Sequence, residues 1–158
     1  MTAYEPGAAA FSHLARNTDG HPRISAIHAA VVGHADEAAT VRLYLHGERS
    51  TRNTVLARDI GTGTTLEQHI DVRAVGIDEV LRDGCDLLKI DCEGAEFDIF
   101  AQVSDQALSG VTGIVVEFHR TAGDPDVLLD RLRQAGFVAA VVSGHAEPFG
   151  VIGATRPA

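Results

Sequence analysis

An open, mostly parallel α/β sheet of the doubly wound kind is the fold class this sequence predicts, and three observations predict it. Short apolar runs alternate with helical periodicities along the whole chain. The strongest run, residues 87–90, delivers Asp91 and a glycine turn straight into an amphipathic stretch. Two strand-like runs near the end, 138–142 and 149–155, flank a turn at 144–148.

The elements follow in order. Residues 3–5 end a strand, Pro6 and Gly7 turn the chain, and residues 8–17 form a helix with Phe11, Leu14 and Ala15 on one side. Residues 23–32 supply a single apolar strand. Residues 40–45 alternate Val41, Leu43 and Leu45 inward with Arg42 and Tyr44 outward, the pattern of a half-exposed antiparallel addition. Residues 46–68 are polar and rich in Gly, Thr and Arg, which predicts a surface loop able to cover a site. Within it, Gly61, Thr62 and Gly63 lack the preceding strand and following helix of a dinucleotide fingerprint and read as loop.

Residues 69–75 alternate again, with Ile70, Val72 and Ala74 on one side, and residues 77–81 form a short helix leading to the mostly buried strand at 87–90. Gly94 permits a tight exit, and Phe97, Phe100 and Val103 stripe the next helix. Residues 111–118 form a buried strand. Asp124 or Pro125 opens a helix whose face carries Leu128, Leu132 and Ala135 and which closes at Gly136.

Composition narrows the function classes. The 158 residues, 45% hydrophobic and 22% charged, suit one domain with one core. No apolar run approaches the roughly 20 residues that cross a bilayer, and no secretory signal pattern is present, so the expectation is a cytoplasmic protein without a membrane partner. A formal charge of −9 argues against nucleic acid and for a small or neutral substrate. Cys85 and Cys92 are too few and too local for a disulfide framework or zinc site and read as buried thiols.

Candidate chemistry collects at the carboxyl ends of two strands expected to be neighbours. Asp91 ends one, and Glu93 and Glu96 sit near the positive start of the helix that follows, where acids also serve as caps. Alternation places Glu117 and His119 on one side of the other strand, opposite Phe118. Asp91 and His119 are therefore the catalytic candidates, with His119 as a base near neutral pH. Glu93 and Glu117 would orient a substrate.

The run KIDCEGAE at 89–96 resembles the KIDVEGAE signature of the FkbM-type methyltransferases, departing only at Cys92. AYEP at 3–6, GIDEVL at 76–81 and VVEFH at 115–119 follow the same family in order, so the resemblance spans nearly the whole chain. It implies a Rossmann-like class I sheet ending in an antiparallel strand, and S-adenosyl-L-methionine as cofactor. It also implies O-methylation of a hydroxyl on a sugar, polyketide or other secondary metabolite. Glu5 would then stand where the class places a carboxylate on the cofactor's ribose diol. Some class I relatives hold a divalent ion at these strand ends, so Asp91 and Glu117 make magnesium a less favoured expectation and no metal the main one.

The family's opening strand and glycine-rich loop have no counterpart here, which predicts an N-terminally truncated sheet, a longer native protein, and an exposed sheet edge and face prone to homo-oligomerisation. Two other readings stay open. One is a non-catalytic α/β binding domain or inactive fragment; the other is a metal-dependent hydrolase using Asp91 and Glu93.

Overall fold

The computed structural model describes residues 1–36, 38–45, 53–55 and 69–157. Most of the expected covering loop, including Gly61, Thr62 and Gly63, lies outside the described residues. In chain order the elements are β1 (Thr2–Tyr4), α1 (Ala8–Thr18), β2 (Ser25–Ile27), β3 (Ala30–Val32), β4 (Thr40–Tyr44), β5 (His69–Gly76) and α2 (Ile77–Val80). There follow β6 (Cys85–Ile90), α3 (Glu96–Gln102), α4 (Asp105–Ser109), β7 (Val111–His119), α5 (Pro125–Gln134), β8 (Val138–Ser143) and β9 (Phe149–Thr155).

The α/β class holds, but the pairing is more mixed than a mostly parallel sheet. Among the described residues, β1 pairs β2, β3 pairs β5 and β6 pairs β7 in parallel. The pairs β4 with β5, β7 with β9 and β8 with β9 are antiparallel. The described strands form three groups, ordered β1-β2, β3-β5-β4 and β6-β7-β9-β8. The single strand expected over 23–32 is two strands. The chain bends at His28 and Ala29, where the Ala29 N–H turns back to the Ile27 carbonyl, so β2 serves one group and β3 the next.

One face of the four-stranded group makes the main core. Ile90, Ile114, Val116, Phe118, Ile152 and Ala154 point to it and meet Ile99 and Phe100 of α3, Leu108 of α4, and Leu128 and Leu132 of α5. Local signals set these helices. Asp124 accepts the Asp126 N–H at 3.0 Å and Pro125 occupies the first helical position, while Ser104 accepts the Ala107 N–H at 3.1 Å to start α4; each such cap is worth about 1 kcal/mol. Arg131 closes α3 from outside by donating to the carbonyls of Phe100 and Val103. No described helix is long and apolar enough to cross a membrane.

The opposite face is open among the described residues. Leu87, Val138, Val142 and Phe149 alternate away from the core and are 63%, 66%, 63% and 55% exposed. β6 also ends its group, so the strand expected to be mostly buried keeps only Ile90 fully inside. Cys85 and Cys92 are free and partly buried rather than fully so, because the first lies on β6 and the second on the turn beyond it. Helix α1 buries no side chain completely; Phe11 instead stacks on the His28 ring, centroids 4.7 Å apart.

These two faces should respond differently to truncation. Phe118→Ala is expected to cost about 3–5 kcal/mol in urea unfolding, and Leu87→Ser to stay within about 0.5 kcal/mol of the parent. Comparable losses for both would mean that another part of the chain covers Leu87.

Candidate active site

The site starts from a turn that few residues adopt. After β6, Glu93 takes φ 50° and Gly94 φ 101°. The left-handed conformation suits Gly94 and costs about 1–3 kcal/mol at a residue such as Glu93. Thr54, buried and bridged to Tyr44 at the end of β4, braces the turn by donating its hydroxyl to the Glu93 carbonyl at 3.0 Å. The reversal drops Glu96, the first residue of α3, into the interior, where its side chain is fully buried.

Four donors converge on that carboxylate. Oε2 accepts the Gly94 N–H at 2.8 Å and the Cys92 thiol at 3.8 Å. Oε1 accepts the His119 backbone N–H at 2.8 Å and meets His119 Nδ1 at 3.0 Å. The arrangement suits an acceptor-only group. It also joins the α3 turn to the last residue of β7, across the pairing that sets Ile90 beside Val116.

His119 points its other nitrogen outward. Nε2 lies 3.4 Å from Glu93 Oε2 and 3.8 Å from Glu117 Oε1, and the imidazole is only 16% exposed. The hydrogen bond to Glu96 pushes the His119 pKa above its ordinary value; burial opposes that shift, and the charges of Glu96, Glu93 and Glu117 add to it. Burial, followed by the charges of Glu96 and Asp91 and its neighbours, drives the Cys92 thiol well above the usual thiol range. This thiol stays protonated at neutral pH and acts as a donor.

The other predicted residues fall at distinct places. Asp91 continues the β6–β7 register one step beyond Ile90 and Val116, which brings it level with Glu117, and its Oδ2 pairs with Lys89 Nζ at 3.0 Å. The carboxylate nearest the His119 ring is Glu96. Glu5 extends the β1–β2 ladder by donating its N–H to Ile27, and its Oε1 accepts the Gly7 N–H at 2.6 Å. A Cβ on Gly7 would come within 2.9 Å of that oxygen, so the turn needs glycine to keep the carboxylate in place. Nearby, His28 Nε2 sits 3.0 Å from the Pro6 carbonyl. Among the described residues no three His, Cys, Asp or Glu side chains are grouped to hold a metal ion.

Glu96 carried a signal that its role as a helix-start acid concealed. The buried face of α3 runs through 96, 99, 100 and 103, not through the 97, 100 and 103 stripe, and Phe97 is only half-buried. An acid at i with apolar residues at i+3, i+4 and i+7 points a carboxylate into a core, where it must find donors.

Comparison with known proteins supplies a second line of evidence. A family model described as the methyltransferase FkbM domain matches residues 2–139. Among curated relatives, "Methyltransferase 1" of Beauveria bassiana (strain ARSEF 2860) is 28% identical over 159 residues, covering 89% of this chain and 64% of that protein. "AMB antimetabolite synthetase AmbE" of Pseudomonas aeruginosa is 30% identical over 151 residues, covering 87% of this chain and 6% of that protein. The chain therefore spans less than two thirds of either relative's length. No solved structure matches significantly.

The His119 environment makes stability depend on pH with a definite sign. Its folded pKa is raised from 6.5, so the stabilisation is fully present below about pH 6.5 and is lost as pH rises through the higher folded value. Urea midpoints of the parent and His119→Gln should differ most at the acid end of this window and converge above it. A gap that widens with rising pH would contradict the site described.

Proposed function

The chain belongs to the FkbM methyltransferase family, and from that premise we propose that it methylates a hydroxyl on a small molecule, with His119 as the base. A family of this kind implies a methyl donor of the S-adenosylmethionine type. The observation that carries the proposal is the His119 ring at the carboxyl end of β7, partly exposed and faced by Glu96, Glu93 and Glu117 at 3.0, 3.4 and 3.8 Å. Open α/β sheets bind ligands at this edge. The acceptor is a sugar, polyketide or other secondary metabolite; the relative named for antimetabolite synthesis supports that class.

The residues at β1 fit the donor. Glu5 offers paired carboxylate oxygens of the kind a ribose diol needs, and the Gly7 N–H holds one of them in position. When bound, S-adenosylmethionine would supply a methyl group on a positively charged sulfur. The chain's own work is alignment and proton removal. His119 Nε2 would take the acceptor hydroxyl proton as that oxygen displaces the sulfur from the methyl group, the carbon–sulfur bond breaking to leave a neutral thioether, and the three carboxylates would stabilise the resulting imidazolium. Asp91, Glu93 and Glu117 line the same edge and would accept hydrogen bonds from the acceptor's remaining hydroxyls. A metal-dependent hydrolase built on Asp91 and Glu93 has less support, because Asp91 pairs with Lys89 while Glu93 turns to His119.

Calorimetric titration with S-adenosylhomocysteine, combined with a methyl-transfer assay on hydroxylated acceptors, tests this reading. Glu5→Ala should weaken binding roughly tenfold or more, as expected for losing a charged hydrogen-bond acceptor. His119→Ala should bind normally yet lose about 10²–10⁴ in turnover. Parent turnover should rise with pH through a value above 6.5, since the base must be neutral. Undiminished turnover by His119→Ala would remove His119 from the mechanism, and absence of binding to the parent would remove the donor.

A further inference from the structure

We infer that Glu96 is a positioning residue for methyl transfer: its buried carboxylate holds His119 as the Nδ1–H tautomer and leaves Nε2 as the ring nitrogen able to accept a proton. The inference deepens the reading of His119 as a base and rests on it.

The geometry makes the case in two steps. A carboxylate oxygen only accepts, so the ring nitrogen 3.0 Å from Glu96 Oε1 must carry the hydrogen. That same oxygen takes the backbone N–H of His119 at 2.8 Å. One oxygen thus grips both ends of the residue and restricts rotation of the side chain about its own backbone. The second oxygen is held by the Gly94 N–H and the Cys92 thiol, so Glu96 cannot swing without leaving buried donors unmatched.

A competing tautomer gives Glu96 something to decide. Among the described residues, the charged groups facing the ring are Glu96 from α3, Glu93 from the turn and Glu117 from β7 itself; Cys92 faces Glu96, and β9 contributes the Phe149 ring. Glu93 and Glu117 would both favour a proton on Nε2, which would turn the basic lone pair inward. Their contacts are longer, 3.4 and 3.8 Å, and both side chains are about one third exposed, at 32% and 33%. Glu96 is nearer at 3.0 Å and is 0% exposed. A shorter bond in a drier site is the stronger one, so Glu96 prevails.

Long-range ¹H–¹⁵N correlation spectra of the full chain with ¹⁵N-labelled histidine, recorded above the His119 titration, read the tautomer without any assay of activity. The expected pattern is a protonated Nδ1 and an unprotonated Nε2; the reverse pattern overturns the inference. Glu96→Gln supplies the functional arm in a variant verified as folded. It places an amide nitrogen against existing donors, and it should mix the tautomers, lower the His119 titration and cut turnover roughly 10²-fold while S-adenosylhomocysteine affinity holds. Glu96→Gln with parental tautomer and turnover would also overturn it. The expected tautomer in a parent that methylates no hydroxyl would sink the methyl-transfer reading alone.

Discussion

Burying the Glu96 carboxylate would cost several kcal/mol in lost hydration if no donor replaced water, and the chain supplies donors from three residues. Gly94 and Cys92 come from the turn after β6, and His119 comes from the far end of β7 with both its backbone and its ring. None of these elements can shift independently of the others. The start of α3 and the end of β7 are tied together by satisfying one fully buried carboxylate.

The strained turn follows from the same requirement. To send Glu96 inward immediately after a strand, the chain must reverse within Glu93 and Gly94, and both adopt positive φ. Only Gly94 does so at little cost. At Glu93 the conformation is held by the Thr54 hydroxyl on its carbonyl, and its side chain turns toward His119 Nε2. Backbone strain, a buried carboxylate and a raised histidine pKa meet at one sheet edge, and each has a cause in the others.

The sheet that carries this edge is two-faced. Helices α3, α4 and α5 bury one side behind Phe118, Val116 and Ile152, while Leu87, Val138, Val142 and Phe149 stay exposed on the other. Glu117 and His119 lie on that exposed side, because alternation along β7 sends Phe118 to the core. The tightly packed face fixes the strand ends, and the open face leaves the imidazole and its outer carboxylates partly exposed.

Periodicity and turn chemistry alone determined the α/β class, the capped helix after Asp124 and the closing β8–β9 pair. Those features are local, so they are legible in a window of a few residues. The split of 23–32 into strands of two groups, the openness of β6 and the rotation of α3 by one position were decided by tertiary contacts. So was the partner of His119. Glu96 and His119 stand 23 residues apart, and no local pattern says which of several acids a histidine will meet. That choice is made by the need to match every buried donor with an acceptor once the strands and helices have packed.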